Sequence, residues 1–352
     1  MERPVTMNAS LTSWLGIDWP IVQAPMAGVQ NHRLAAAVSN AGGLGSLPAA
    51  LLTAEQLAAE LAALRSATAR PFNVNFFCHV PPAPDAEREA AWRRALAPYY
   101  AELGADPASA ASGPRRSPFN AEAAALVEAT RPAVVSFQFG LPEPALLDRV
   151  RAAGAKIVGA ATTVEEARWL EARGVDAIVA QGLEAGGHRA MFLDRDLTTQ
   201  AGTFALLPQI VRAVRVPVLA AGGIADAAGV RAVLALGAAG AWAGSAYLLC
   251  DEATTSAVHR AALASPAARH TALTNLYSGG VARGIVTRLM RELGPIGDAP
   301  AFPFASDALA PLRARAERAG SGDFSPLWVG QNASACRATS ADRRTRELAG
   351  VA

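Results

Sequence analysis

Eight short apolar runs, separated by alanine-rich segments of helical period, occupy residues 20–250, and no other feature constrains the fold as strongly. They fall at 21–24, 43–46, 72–76, 134–137, 156–160, 177–180, 216–220 and 239–243. Most read as continuous apolar or β-branched runs, the pattern of a parallel strand covered on both faces. The stretches between them, such as 163–173 and 226–236, carry helical spacing. Strands alternating with helices imply βαβ units, and eight in a row predict an α/β protein built as a closed (β/α)8 TIM barrel. A doubly wound open sheet is the alternative, with fewer strands as a rule.

Two stretches depart from the alternation. Residues 79–118 are rich in Pro, Ala and charge and include Gly113-Pro-Arg-Arg. They are too long for a simple connection and predict an excursion after strand 3 with one or two helices. Residues 251–352 follow strand 8, with breaks at Gly279-Gly280, Gly294-Pro295 and 320–322. They predict a largely helical appendage over the barrel mouth, its last fifteen polar residues frayed. The expected division is therefore a cofactor-binding barrel at 15–250 and an appendage at 251–352. With 352 residues, 51% apolar and 18% charged, the chain can bury a core of that size.

Charge and cysteine content narrow the partners. The net charge is +2, Lys156 is the only lysine, and the arginines form no basic stripe, so nucleic acid is not expected. Cys78, Cys250 and Cys336 are too few and too far apart for a disulfide framework or a zinc site, and Cys78-His79 has no further ligands at metal spacing. The start of the chain, with Glu2, Arg3 and Asp18, lacks an apolar signal region, and no run of 18 residues is free of Gly, Pro and charge. The expectation is a soluble, cytoplasmic protein with no membrane contact.

Barrel enzymes work at the C-terminal ends of their strands and hold phosphate on the loops after strands 7 and 8. Here those loops read Ala221-Gly222-Gly223-Ile224, with Asp226 as a helix cap, and Trp242-Ala243-Gly244-Ser245. Glycine lets the backbone approach an anion, and N–H groups at a helix start supply donors. Glycine pairs can also merely turn a chain, but two such loops at these strands favour phosphate. Gln23-Ala-Pro-Met-Ala27-Gly ends strand 1 and suits one side of a flat ring, while Asn75 and Gln181 offer both donors and acceptors to a flavin's pyrimidine edge. The cluster Gly42-Gly-Leu-Gly45 enters strand 2 and does not resemble a dinucleotide fingerprint.

His188 is the most informative residue. It closes Glu184-Ala-Gly186-Gly187-His188 in the loop after strand 6, at the catalytic face. A histidine titrating near neutrality there suits proton abstraction from a carbon acid or pairing with an anionic substrate. Glu184 is placed to pair with Arg189 or to orient His188, or else to face solvent. His32 is expected to begin a helix, His79 borders the excursion, and His259 and His270 fall in the appendage. Neither a Gly-x-Ser-x-Gly elbow nor a lysine at the C-terminal end of a strand is present, which argues against hydrolase and aldolase chemistry.

Taken together, Gln23-Ala-Pro-Met-Ala-Gly, Ser39-Asn-Ala-Gly-Gly-Leu-Gly-Ser46, Pro71-Phe-Asn-Val-Asn-Phe-Phe-Cys-His79, Val135-Ser-Phe-Gln-Phe-Gly140, Ala180-Gln-Gly-Leu-Glu-Ala-Gly-Gly-His-Arg189 and Ala220-Ala-Gly-Gly-Ile224 resemble the nitronate monooxygenases, formerly 2-nitropropane dioxygenases, in their class I branch. The likeness continues more weakly through Ser278-Gly-Gly-Val-Ala-Arg-Gly284 and Trp328-Val-Gly-Gln331. It implies a non-covalent FMN held by Asn75, Gln181, Gly186, Gly222, Gly223, Trp242, Ala243, Gly244 and Ser245, with Ala27 near the ring and His188 in the catalytic position. It also implies oxidation of alkyl nitronates, such as propionate 3-nitronate, by molecular oxygen to a carbonyl compound and nitrite. Two departures stand out: Trp242-Ala-Gly-Ser245 where the family often has Gln-Met-Gly-Thr, and Ala190 where glycine is common, which is expected to narrow the pocket. An NAD(P)H-dependent quinone or enoyl reductase of the same superfamily, or a flavin-binding barrel without turnover, is the alternative.

Overall fold

A computed structural model describes residues 11–109, 116–334 and 336–351; Glu2, Arg3 and the Gly113-Pro-Arg portion of the excursion lie outside them. In chain order the strands are β1 (Ile21–Gln23), β2 (Gly45–Pro48), β3 (Phe72–Phe77), β4 (Val134–Gln138), β5 (Lys156–Ala161), β6 (Ala177–Gln181), β7 (Gly187–His188), β8 (Val218–Ala221), β9 (Gly240–Ala243), β10 (Thr271–Thr274) and β11 (Ala282–Ile285). Eight of them pair in parallel in the order β1-β9-β8-β6-β5-β4-β3-β2. A bridge between Val22 and Leu44 brings the two ends together, so the sheet closes as a (β/α)8 barrel. The expected seventh and eighth barrel strands are β8 and β9.

Period-2 alternation sorts the strand residues between two cores. Ile21, Ala241 and Ala243 face the surrounding helices. Val22, Leu44, Val158, Val179, Leu219 and Trp242 form a second cluster inside the barrel, joined by Leu11 and Leu15 of an N-terminal turn of helix. Local signals set the helix ends: Thr163 caps Val164–Ala172 by accepting from the Glu166 N–H, and Asp226 caps Ala227–Ala235 by accepting from the Gly229 N–H. Strand 2 begins two residues later than its apolar run suggests. A Cβ on Gly45 would lie 1.9 Å from the Ala35 carbonyl oxygen, so this glycine serves close packing of helix His32–Asn40 on the strand.

The excursion contributes one helix among the described residues, Ala86–Leu103, stopped by Gly104 at φ +57°. Its Trp92, Leu96, Tyr99 and Tyr100 pack with Leu309 and Leu312 of helix Ala305–Arg318, so the insertion and the later chain cover one another. Beyond residue 250 the chain is not simply helical. β10 and β11 form an antiparallel pair, and β11 takes β7 as its other neighbour. Gly279-Gly280, a helix break in the sequence, lies in the turn of this hairpin.

The C-terminal residues do not fray. Ser340 caps a helix over Ala341–Ala349 whose Ala341, Arg344, Thr345 and Leu348 are buried. The Thr345 hydroxyl lies 3.0 Å from that of Tyr247. This helix packs on helix His32–Asn40, helix Ala227–Ala235 and β1, filling the outer wall beside the eighth barrel strand. Its buried face mixes Ala341 and Leu348 with Arg344 and Thr345, so its polar composition does not keep it in solvent. Among the described residues, no helix is long and apolar enough to cross a membrane.

Replacing Leu348, 1% exposed, by Ala should cost about 2–4 kcal/mol, read from urea unfolding. A loss under about 0.5 kcal/mol, the range for exposed positions, would mean that the helix is not docked.

Candidate active site

A cavity of about 250 Å³ opens at the C-terminal ends of the barrel strands. Its wall at β3 and β4 is polar. Asn75 Nδ2 donates to the hydroxyl (3.0 Å) and carbonyl (3.2 Å) of Ser136, and Asn73 Nδ2 reaches the same hydroxyl at 2.9 Å. The Asn75 backbone carbonyl accepts from the Ala49 N–H at 2.9 Å, and its side-chain Oδ1 takes no partner among the described residues. Beside it, Gln23 Nε2 donates to Gln30 Oε1 at 2.7 Å, and Gln30 Oε1 accepts from the Met26 N–H at 2.8 Å. This pair fixes the turn that brings Ala27 to the cavity.

The opposite side is backbone. Gly222 (φ +117°) and Gly223 (φ +73°) adopt conformations that disfavour side chains, and they face the cavity together with Gly244 and Ser245. The N–H groups of these four residues have no partner among the described residues. Trp242 also lines the cavity, but its side chain belongs to the barrel-interior cluster and Ala243 packs outward. The bulky residue thus stands beneath the loop instead of in it. Residues 325–332 pass over this face. A Cβ on Gly186 would lie 2.5 Å from the Gly330 nitrogen, and the Gly330 N–H donates to the Ser245 hydroxyl at 2.8 Å. Asn332 Nδ2 completes the closure by donating to the Gly223 carbonyl at 3.0 Å.

His188 stands on the remaining wall. The Gln138 and Gln181 side-chain amides both donate to its carbonyl at 3.0 Å, while Gln181 Oε1 accepts from the Ala190 N–H at 2.8 Å. Gln181 therefore lines the cavity and also holds the histidine loop. His188 Nε2 lies 2.8 Å from the Ser278 hydroxyl. The rings of Phe302, Trp328, Phe139 and Phe77 approach its own at 5.2, 5.6, 6.2 and 6.3 Å between centroids. Phe139 does so with φ +68°, a conformation rare outside glycine and held by its surroundings.

This enclosure changes the expected titration. Desolvation, followed by the positive charge of Arg116 and the proximity of His79, lowers the pKa of His188 to about 3. A side chain that is neutral throughout the physiological range cannot pair with an anion as imidazolium. It acts as a neutral hydrogen-bonding group or proton acceptor. His79, buried with an unpartnered Nδ1, is lowered to about 4 by burial and Arg116, and His259 to about 4 by burial.

The sequence-derived candidates Ala27, Asn75, Gln181, Gly186, His188, Gly222, Gly223, Trp242, Ala243, Gly244 and Ser245 all line this one cavity. Two expectations around them need correction. Glu184 neither pairs with Arg189 nor orients His188; its carboxylate accepts from the Thr203 N–H and hydroxyl, each at 2.8 Å. Arg189 is buried and donates to the carbonyls of Gly182 (2.6 Å) and Gln181 (2.7 Å). Ala190 is fully buried behind the loop and is not among the cavity residues, so its methyl group does not narrow the pocket. Ser136, Gln138, Ser278, Phe302 and Arg116 were not singled out as site residues. Of these, Ser136 and Gln138 lay within the Val135-Ser-Phe-Gln-Phe-Gly140 string, and Ser278 began the Ser-Gly-Gly string beyond the barrel.

A parallel barrel whose mouth sets unpaired backbone donors against a neutral histidine has the plan of a barrel oxidoreductase. The chain belongs to the nitronate monooxygenase family, whose sequence pattern matches residues 8–345. It is 42% identical to the nitronate monooxygenase of Pseudomonas aeruginosa, over 97% of this chain and 98% of that one. Against the nitronate monooxygenase of Paraburkholderia phytofirmans it is 42% identical, over 97% and 94%. The solved nitroalkane oxidase from Streptomyces ansochromogenes superposes with a TM-score of 0.87 at 39% identity, covering 97% of each chain. The protein is therefore an oxidoreductase of a flavin-dependent, nitronate-oxidising family.

The three depressed histidines fix the direction of pH dependence. Their folded pKa values lie below the unfolded value near 6.5, so the unfolded chain takes up protons first as pH falls. Stability is full above pH 6.5 and declines toward pH 4. Replacing His259 by Gln should shrink the loss between pH 7 and 4.5 by about 2 kcal/mol, measured by urea unfolding at both pH values. An unchanged acid sensitivity would contradict the buried neutral state.

Proposed function

We propose that the protein oxidises alkyl nitronates, with propionate 3-nitronate as the type substrate, using bound FMN and molecular oxygen to give a carbonyl compound and nitrite. The observation that carries this reading is the neutral, aromatic-enclosed His188 lining a cavity that also presents N–H groups without partners among the described residues. A Cβ at Gly222 would lie 2.7 Å from the Thr203 hydroxyl, so only glycine leaves that loop as it is, a cradle fitted to a phosphate. Gly222, Gly223, Gly244 and Ser245 would hold the phosphate, Asn75 and Gln181 the polar edge of the ring, with Gly186, Ala27, Trp242 and Ala243 against its faces and tail. When bound, FMN supplies the electron acceptor for the nitronate and the route to oxygen.

The chain's own groups prepare the site. Phe77, Phe139, Phe302 and Trp328 exclude water from the imidazole, which strengthens every polar contact made there. Ser278 Oγ accepts from the Gly280 N–H at 3.3 Å and directs its own proton to the Gly280 carbonyl at 3.4 Å. In that arrangement it accepts from His188 Nε2–H and leaves Nδ1 as the basic nitrogen. His188 then offers its neutral Nδ1 as the acceptor for the α-proton of a neutral nitroalkane. The remaining partners of this reading are small molecules alone, with no nucleic acid or membrane, in the cytoplasm.

Oxygen uptake and nitrite release with propionate 3-nitronate test it. His188→Asn should lose at least about a hundredfold in kcat/KM, and Ser278→Ala about tenfold through the freed tautomer. Flavin released on denaturation should be FMN. An undiminished His188→Asn enzyme, or a protein without flavin, would overturn the proposal.

A further inference from the structure

Residues 325–332 tie together three separate loops of the barrel mouth. The segment is seated first on the hairpin: the Ile285 N–H donates to the Leu327 carbonyl at 2.9 Å, and Leu327 and Val329 pack with Leu248 and Ile285 in one buried cluster. Its next three residues each bond to a different loop. The Gly330 N–H donates to the Ser245 hydroxyl at 2.8 Å, after β9. The Gln331 N–H donates to the Glu184 carbonyl at 2.9 Å, after β6. Asn332 Nδ2 donates to the Gly223 carbonyl at 3.0 Å, after β8. The chain then returns to the β9 loop, where the Cys336 thiol donates to the Ser245 carbonyl at 3.0 Å.

The fit at these ties is close. A Cβ on Gly330 would lie 2.8 Å from the Glu184 carbonyl oxygen and 3.3 Å from the Ser245 hydroxyl. Gly330 is not among the glycines of positive φ, so contact and not conformation calls for glycine there. Asn332 is exposed at the cavity rim, and its Oδ1 accepts from the Ser334 hydroxyl at 2.6 Å and the Ser334 N–H at 3.2 Å. Those two bonds fix which end of the amide faces Gly223. The loops it helps to hold are glycine-rich, with no side chains at Gly222, Gly223 or Gly244 to fix their own positions. Loops of that kind grip an anion firmly only when their N–H groups are already in place, because ordering them on binding subtracts from affinity.

We propose that residues 330–332 are a clasp for the phosphate end of the cofactor. Gly330 and Asn332 are positioning residues that keep the Gly222–Gly223 and Gly244–Ser245 loops in register, and so govern how firmly the protein keeps FMN. The inference rests on that cradle being the FMN phosphate site. Because the clasp acts through phosphate donors, it discriminates FMN from riboflavin, which has the same ring and ribityl chain without the phosphate.

The test starts from the purified holoenzyme, incubated with an equal large excess of FMN and riboflavin and freed of unbound flavin by gel filtration. Chromatography of the flavins released on denaturation gives the bound ratio. Wild type should hold FMN over riboflavin by at least about a hundredfold, as several charge-assisted bonds require. Asn332→Ala should lower that ratio about tenfold, the scale of one hydrogen bond, and Gly330→Ala by at least as much. Timed ultrafiltration of the holoenzymes should show both variants losing FMN correspondingly faster. Gln331→Ala keeps the backbone N–H that makes its tie and should match wild type. Asn332 is exposed, so Asn332→Ala decides the matter even where Gly330→Ala does not fold. An FMN preference left intact in Asn332→Ala, or an equal loss in Gln331→Ala, would overturn the clasp and leave the cofactor reading standing. A wild type that binds the two flavins alike would remove the phosphate cradle itself, and the clasp with it.

Discussion

The active site depends on how one carbonyl group is held. Gln138 at the end of β4 and Gln181 at the end of β6 both donate to the His188 carbonyl, and Gln181 also receives the Ala190 N–H. β11 pairs with the same two-residue strand from the other side. Two barrel strands and a hairpin nearly a hundred residues downstream therefore meet at His188. A loop rich in glycine has little stiffness of its own, so these bonds substitute for a regular element. Without them the imidazole would have no fixed relation to the barrel mouth.

The electrostatics follow from that placement. Once the loop is anchored, Phe302 and Trp328 close over the ring and remove the solvent that would stabilise an imidazolium. Arg116 reinforces the effect by its charge. The result is an imidazole held neutral both by its enclosure and by a nearby positive charge.

Much of this was legible in the sequence, because barrel strands and their helices are local patterns. Thr163 and Asp226 stand at the helix starts their positions suggested, and the Gly222-Gly223 and Gly244-Ser245 loops after the last two barrel strands border the cavity. What was hidden depends on distant contacts. The C-terminal helix reads as polar because even its buried face carries Arg344 and Thr345, whose burial depends on contacts with distant residues such as Tyr247. Glu184 read as a partner for its neighbours in sequence or as facing solvent, yet the chain turns and gives its carboxylate to Thr203. The low pKa of His188 was invisible for the same reason, since Phe302 and Trp328 arrive from more than a hundred residues away. Trp242, a departure in the cofactor loop by sequence, proves to be a barrel-interior residue because strand alternation turns its side chain inward.

The central claim is that the two walls of this cavity act on one bound cofactor. A crystal structure of the protein purified with its flavin tests it most directly. The account predicts the phosphate within hydrogen-bonding distance of the Gly222–Gly223 and Gly244–Ser245 N–H groups, with the ring lying between that cradle and His188. A phosphate bound elsewhere, or a ring placed away from His188, would contradict it.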